Sequence, residues 1–178
     1  MAVRNYYKGT QGLASMLGEA FEVAFPEYHK EYLQAFKAGV WVSEDPGPWL
    51  GRAIIWKLQV QPHMDASDVG PTAAFNCGSY DDGPMYLPDL DIKLAYAPGD
   101  LLIFLSGILY HAVGHWEPTA HPSGILTPGR IGNVFFFPKQ SYLTLKGKPE
   151  NWNWGTMTGA CAPVVDVDCP PNEKSKQD

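Results

Sequence analysis

The chain has 178 residues, enough for one domain with a sizeable core, and its 45% hydrophobic and 18% charged composition is ordinary for a globular protein. A formal net charge of −6 provides no overall positive field to draw in a polyanion, and only fragments such as Lys146-Gly-Lys148 and Lys174-Ser-Lys176 gather positive charge. The longest apolar stretch, residues 101–105, is far too short to cross a bilayer, and residues 1–10 lack the apolar segment of a secretory signal. The expectation is an intracellular protein, cytoplasmic or nuclear, with no membrane partner. Three cysteines, Cys77, Cys161 and Cys169, cannot all pair within the chain and form no Cys-x-x-Cys pattern, so reduced thiols are expected.

In residues 11–36 the positions Leu13, Met16, Leu17, Ala20, Phe21 and Ala24 recur at spacings of three and four, which predicts a helix with one apolar stripe. Pro26 divides the segment. A second helix over about 27–37 carries Tyr28, Tyr32, Leu33 and Phe36, with Gly39 as its stop. The pair is expected to brace a sheet. Residues 41–49 then pass through Asp45-Pro-Gly-Pro, a turn-rich connection.

After Gly51 the pattern changes to that of β-structure. Ile54, Trp56, Leu58 and Val60 alternate along a strand over 52–61 that Pro62 ends, leaving His63 and Asp65 at its mouth and on one side of an extended backbone. The segment 72–80 stops at Asp81-Asp-Gly83, with 85–87 as its expected hairpin partner. Residues 91–96 form a strand closed by Ala97-Pro-Gly-Asp100, and 101–113 form one strand or two short ones with His111 near the end. A Pro- and Gly-rich loop over 114–129 precedes a strand over 130–137, and 142–145 add a last strand.

Six to eight short strands after two helices, with no internal repeat, predict a mainly β fold: an all-β barrel or jelly roll with an N-terminal helical buttress. The whole chain, 1–178, reads as one domain. Residues 1–50 form the buttress and connection, 51–145 the β core and 146–178 a tail, whose last part is expected to be mobile.

His63, Asp65 and His111 are the candidate metal ligands. Two imidazoles and a carboxylate from separate strands can hold one face of an octahedral ferrous ion and leave the other face to a chelating cosubstrate and dioxygen. Each residue taken alone also suits a structural role, and His115 and His121 compete for the place of the distal ligand. His111 is preferred because it directly follows an apolar strand. Arg130 opens the strand Ile131-Gly-Asn-Val-Phe-Phe-Phe137, where alternation puts Gly132, Val134 and Phe136 on its side. An arginine aimed into a barrel needs an anionic partner, and a bidentate pair with the distal carboxylate of 2-oxoglutarate provides one. Asn76 is a candidate to donate to the cosubstrate or to satisfy a backbone group. Asp81, Asp82 and Asp100 are accounted for by turn chemistry, and most of the aromatic residues by core packing.

With the triad, the segments Asn76-Cys-Gly-Ser-Tyr80, Gly83-Pro-Met-Tyr-Leu-Pro-Asp89, Tyr96-Ala-Pro-Gly-Asp100 and Tyr110-His-Ala-Val113 follow in an order that resembles the fungal dioxygenases related to the TET and JBP oxygenases. The resemblance covers residues 51–137, about half the chain. It implies a cupin-like double-stranded β-helix, Fe(II) at His63, Asp65 and His111, and 2-oxoglutarate held by Arg130. It further implies oxidation or hydroxylation of a C–H bond with dioxygen, on a modified nucleobase such as 5-methylcytosine or a single-stranded nucleic acid.

Two departures stand out. Many relatives have Ser or Thr two residues after the arginine, where this chain has Gly132, and the segment between His111 and Arg130 is longer, with Trp116 a candidate substrate contact. The alternatives are a small metabolite or protein side chain as substrate, and a cupin-like barrel that holds a metal without turnover.

Overall fold

The computed structural model describes residues 2–39, 42–120, 124 and 128–153. Trp41, His121, Trp154, the two later cysteines and the tail beyond residue 153 lie outside the described residues. Contacts gather the chain into two compact units, Met1–Pro48 with Ser141–Asp178 and Trp49–Gln140.

The first unit is helical: α1 (Ala2–Gly9), α2 (Gln11–Ala24) and α3 (Pro26–Gly39), joined later by α4 (Lys139–Leu145). In α2 the buried positions are Ala14, Leu17, Gly18 and Phe21, one stripe at helical spacing. The break falls where Pro26 predicts it. Proline lacks an N–H and is tolerated at the first position of a helix, so it opens α3, while the Phe25 N–H donates to Phe21 O at the end of α2. Phe21 packs on Tyr32, with ring centroids 5.4 Å apart. The strand expected over 142–145 is instead the end of α4, because its buried residues are Tyr142 and Leu145, three apart, while Leu143 is 59% exposed. The helix α1 is additional to the two expected from the sequence, and none of its residues is buried. No described helix is long and apolar enough to cross a membrane.

The second unit holds β1 (Gly51–Trp56), β2 (Thr72–Asp82), β3 (Met85–Leu87), β4 (Ile92–Leu94), β5 (Leu101–Phe104), β6 (Ala112–Val113), β7 (Trp116–Pro118) and β8 (Gly129–Phe136). They form two antiparallel sheets. The larger has the order β1-β8-β2-β5, with β7 pairing on β2, and the smaller has the order β4-β3-β6. Ala74 and Phe104 of the larger sheet and Met85, Leu87 and Val113 of the smaller share one core cluster with Tyr96, so the sheets bury their apolar faces against each other.

Two strand expectations change. β1 ends at Trp56, short of Pro62, because Lys57 takes a left-handed backbone (φ 54°) that an extended strand excludes. Leu58, which continues the apolar alternation, is accordingly 61% exposed. The segment 85–87 does not fold back on β2. Asp82 and Gly83 both have positive φ, the Gly83 N–H donates to His115 O, and the chain leaves for the second sheet, where β3 pairs with β4 and β6.

β8 is central, paired to β1 on one side and to β2 on the other. Its register sets Arg130 opposite Gly78 and Gly132 between Ile55 and Asn76. Because side chains alternate across a strand, Arg130, Gly132, Val134 and Phe136 face one way, and all four line a single cavity.

Candidate metal centre and anion pocket

That cavity has a volume of about 330 Å³ and lies within the β unit. His63, Asp65, Asn76, His111 and Arg130 all line it.

The two histidines meet through their backbones. His63 N donates to His111 O (3.1 Å) and His111 N to His63 O (2.9 Å), an antiparallel bridge outside the named strands. The ring centroids stand 4.2 Å apart. Asp65 is placed by its own N–H, which donates to Ser106 O (3.0 Å), and Ser106 is fixed in turn by its hydroxyl, which donates to Thr72 Oγ1 (2.8 Å). One Asp65 oxygen lies 3.5 Å from His63 Nε2 and the other 3.6 Å from His111 Nε2, and the three ligand atoms are all within 4.8 Å of one another.

The far ring nitrogens set the chemistry of the near ones. His63 Nδ1 lies 2.8 Å from Gln61 O and His111 Nδ1 lies 3.1 Å from Leu109 O. A carbonyl oxygen only accepts, so each Nδ1 carries the proton and each Nε2 turns a lone pair toward Asp65. This is the arrangement in which protein histidines bind metals. Burial also lowers the His111 pKa, favouring the neutral ring. Two neutral imidazole nitrogens and a carboxylate suit a first-row divalent ion such as Fe(II) and leave coordination positions free.

Asp68, which sequence reasoning passed over, lines the same cavity. Burial and then the charge of Asp65 raise its carboxyl to about 6. Its backbone N–H donates to Asp65 O (2.8 Å).

In the same cavity Arg130 is 4% exposed. Arg130 Nη2 donates to Asn76 Oδ1 (2.5 Å), and Asn76 Nδ2 donates to Tyr96 O (3.4 Å). Asn76, fully buried, thus holds the guanidinium and a backbone carbonyl, and this uses one of its two amide N–H donors. Tyr96 presents its ring face to the guanidinium at 5.4 Å. A Cβ built at Gly132 would lie 3.4 Å from Arg130 Nη1, an ordinary contact. Buried cations are normally paired, yet among the described residues no acid is a partner of Arg130, and its Nε makes no hydrogen bond. A buried guanidinium with a spare donor fits a carboxylate.

The remaining candidates lie elsewhere. His115 is exposed, pairs with Glu117, and does not line the cavity. Trp116 packs edge-on against Tyr80, with centroids 6.3 Å apart, and does not line the cavity either. Asp100 accepts from the Ala97 N–H (2.8 Å) in the turn before β5. Cys77 is a free thiol.

No protein-family model matches the chain, and no curated protein does. Among solved structures, NgTET1 in complex with 5mC DNA is similar at 30% identity and a TM-score of 0.36, over 50% of this chain and 30% of that one. OsALKBH1 is similar at 19% identity and a TM-score of 0.40, over 70% of this chain and 63% of that one. The chain therefore spans less than two thirds of the length of either.

Proposed function

We propose that the chain is an Fe(II)- and 2-oxoglutarate-dependent dioxygenase that oxidises a C–H bond, with its two sheets forming a double-stranded β-helix. One observation carries the reading. A single cavity is lined by three ligand atoms within 4.8 Å of one another that could hold a metal ion, at His63, Asp65 and His111, and by a buried arginine, Arg130, with no carboxylate partner among the described residues. Bound Fe(II) with 2-oxoglutarate supplies oxidation of an unactivated C–H bond by dioxygen, coupled to decarboxylation of 2-oxoglutarate to succinate.

The protein's own part is binding and orientation. His63, Asp65 and His111 hold the ion, with the Gln61 and Leu109 carbonyls keeping both imidazoles in the metal-binding tautomer. Arg130, fixed by Asn76, pairs with the distal carboxylate of 2-oxoglutarate, so the 2-oxo acid end faces the triad. The apolar walls, Ile55, Val60, Ala74, Met85, Phe104, Val113 and others, limit water around the reacting groups.

For the primary substrate we infer a modified nucleobase such as 5-methylcytosine, on the strength of the motif order around the triad. Arg130 is the only Lys or Arg among the described residues lining the cavity, and it is buried, so no cation on these walls meets a phosphate. A free base or single strand suits such an entrance better than a duplex does.

The test is anaerobic titration of Fe(II)-loaded protein with 2-oxoglutarate, followed by the weak visible charge-transfer absorption of the chelate. Wild type should develop the band, His111→Ala should lose it, and Arg130→Ala should need far more cosubstrate. A wild-type protein that takes up iron and shows no band is a metal-binding barrel without this activity.

A further inference from the structure

We infer that the Tyr96 hydroxyl is the second hydrogen-bond donor to the distal carboxylate of 2-oxoglutarate, in the place that a residue two after Arg130 leaves empty because it is Gly132. The inference rests on the reading of the cavity as a 2-oxoglutarate site.

Three observations converge on Tyr96. It is 4% exposed, lines the cavity, and has a buried hydroxyl with no hydrogen-bond partner among the described residues. Buried hydroxyls without partners are costly, and an unexplained one beside a cavity points to a ligand that completes it. The second orphan of the cavity is Arg130 Nε, and Arg130 lies over the Tyr96 ring. Burial raises the Tyr96 pKa, ahead of the opposing charge of Arg130, and keeps the hydroxyl in its protonated, donating form. A carboxylate has two oxygens that only accept, and two unbonded donors on neighbouring cavity-lining residues match it.

The third observation is how firmly the tyrosine backbone is held. Tyr96 O accepts from Asn76 Nδ2 (3.4 Å) and from the Tyr80 hydroxyl (3.1 Å). The turn that follows is closed by Gly99 N donating to Asn76 O (2.9 Å) and Ala97 N donating to Asp100 Oδ2 (2.8 Å). Asn76 thereby ties Arg130 and Tyr96 into one unit, which costs little entropy when a ligand arrives. At Gly132, by contrast, no side chain competes for the anion, and a Cβ there would stand at ordinary contact distance from Arg130 Nη1 and Ile55.

Equilibrium binding tests this without turnover. Isothermal titration of Mn(II)-loaded protein would compare 2-oxoglutarate with 2-oxopentanoate, which keeps the chain length and lacks the distal carboxylate. Tyr96→Phe should bind 2-oxoglutarate about 10- to 100-fold more weakly, the loss expected for one hydrogen bond to a charged group, and bind 2-oxopentanoate as wild type does. Adding Gly132→Ser to Tyr96→Phe should recover part of the loss by returning a hydroxyl beside Arg130. Equal losses for both ligands would mean that Tyr96 only shapes the pocket, and undiminished binding of 2-oxoglutarate would remove it from the site; either result overturns the inference and leaves the dioxygenase reading standing. A wild-type protein that binds Mn(II) and no 2-oxoglutarate overturns both.

Discussion

His63 and His111, 48 positions apart, exchange two backbone hydrogen bonds, and this pairing, independent of their side chains, brings their Nε2 atoms to the same carboxylate. The consequence is that either ring can be removed without dismantling the bridge that presents it. His111→Ala should lower Mn(II) or Fe(II) affinity on the order of 100-fold or more while costing about 1–2 kcal/mol of stability through the lost ring contact with Phe104. Metal titration beside a urea melt separates the two effects. Collapse of the circular dichroism spectrum in the variant would show that the ring, and not the backbone pair, holds this part of the unit.

Asn76 combines full burial with two side-chain bonds, to Arg130 and to Tyr96 O. Asn76→Ala leaves a buried guanidinium without its acceptor and should destabilise the protein by about 2–3 kcal/mol. The urea midpoint should fall with an unchanged slope. A loss under ~0.5 kcal/mol would mean that water satisfies Arg130 instead.

Gly107 lies against the loop that carries Asp65. A Cβ there would stand 3.1 Å from Asp68 O and 3.3 Å from Asp65 O, tighter than an ordinary contact and against backbone that has little room to give. Gly107→Ala should shift Asp65 and weaken metal binding roughly 5- to 20-fold, since small displacements at a preorganised site are costly. Wild-type metal affinity in a well-folded Gly107→Ala protein would show that the loop yields freely.

In the helical unit the Tyr142 hydroxyl donates to Glu31, and this bond, ahead of the opposing effect of burial and the attraction of Lys146, lowers the Glu31 pKa from 4.5. A carboxyl with a lowered folded pKa stabilises above its unfolded pKa and loses that contribution as pH falls through the folded one. Glu31 is largely exposed, so the effect is small. Tyr142→Phe should cost roughly 0.5–1 kcal/mol at pH 7, and the gap to wild type should narrow below pH 4.5. A gap that widens on acidification would reverse the assigned sign.

If the primary substrate is a modified base, oxidation should be faster on single-stranded oligonucleotides or free base than on duplex. The measurement is product formation on matched single- and double-stranded 5-methylcytosine substrates at one salt concentration. A clear preference for duplex would require a cationic surface outside the described cavity walls.

Much of this arrangement was legible in the chain because local rules governed it. Pro26 divides two helices, period-two alternation puts Arg130 and Gly132 on one face, and Asp81-Asp-Gly83 turns the chain. Other parts depended on partners far away in sequence. The four residues 142–145 suit a strand or a helical turn equally, and burial of Tyr142 with Leu145 decides for the helix. Leu58 and Val60 extended the alternation of β1 past Trp56, and only the backbone of Lys57 ends it. Tyr96 read as part of a turn motif, since nothing local reveals that its hydroxyl stays unbonded beside Arg130. Asp68 lies in a Pro- and Gly-bordered loop whose sequence resembles any solvated turn.

The position of β8 bears on how the protein is made. Translation delivers β1 and β2 early, but in the larger sheet they are separated by β8, which emerges about fifty residues after β2, and among the described residues β1 has no other strand beside it. Until the ribosome has released residue 136, β1 waits with both edges open and the cavity has no arginine. The nascent chain is thus exposed to wrong pairing throughout that interval, and a chaperone that shields β1 and β2 should raise the yield of folded protein more than one that acts after release.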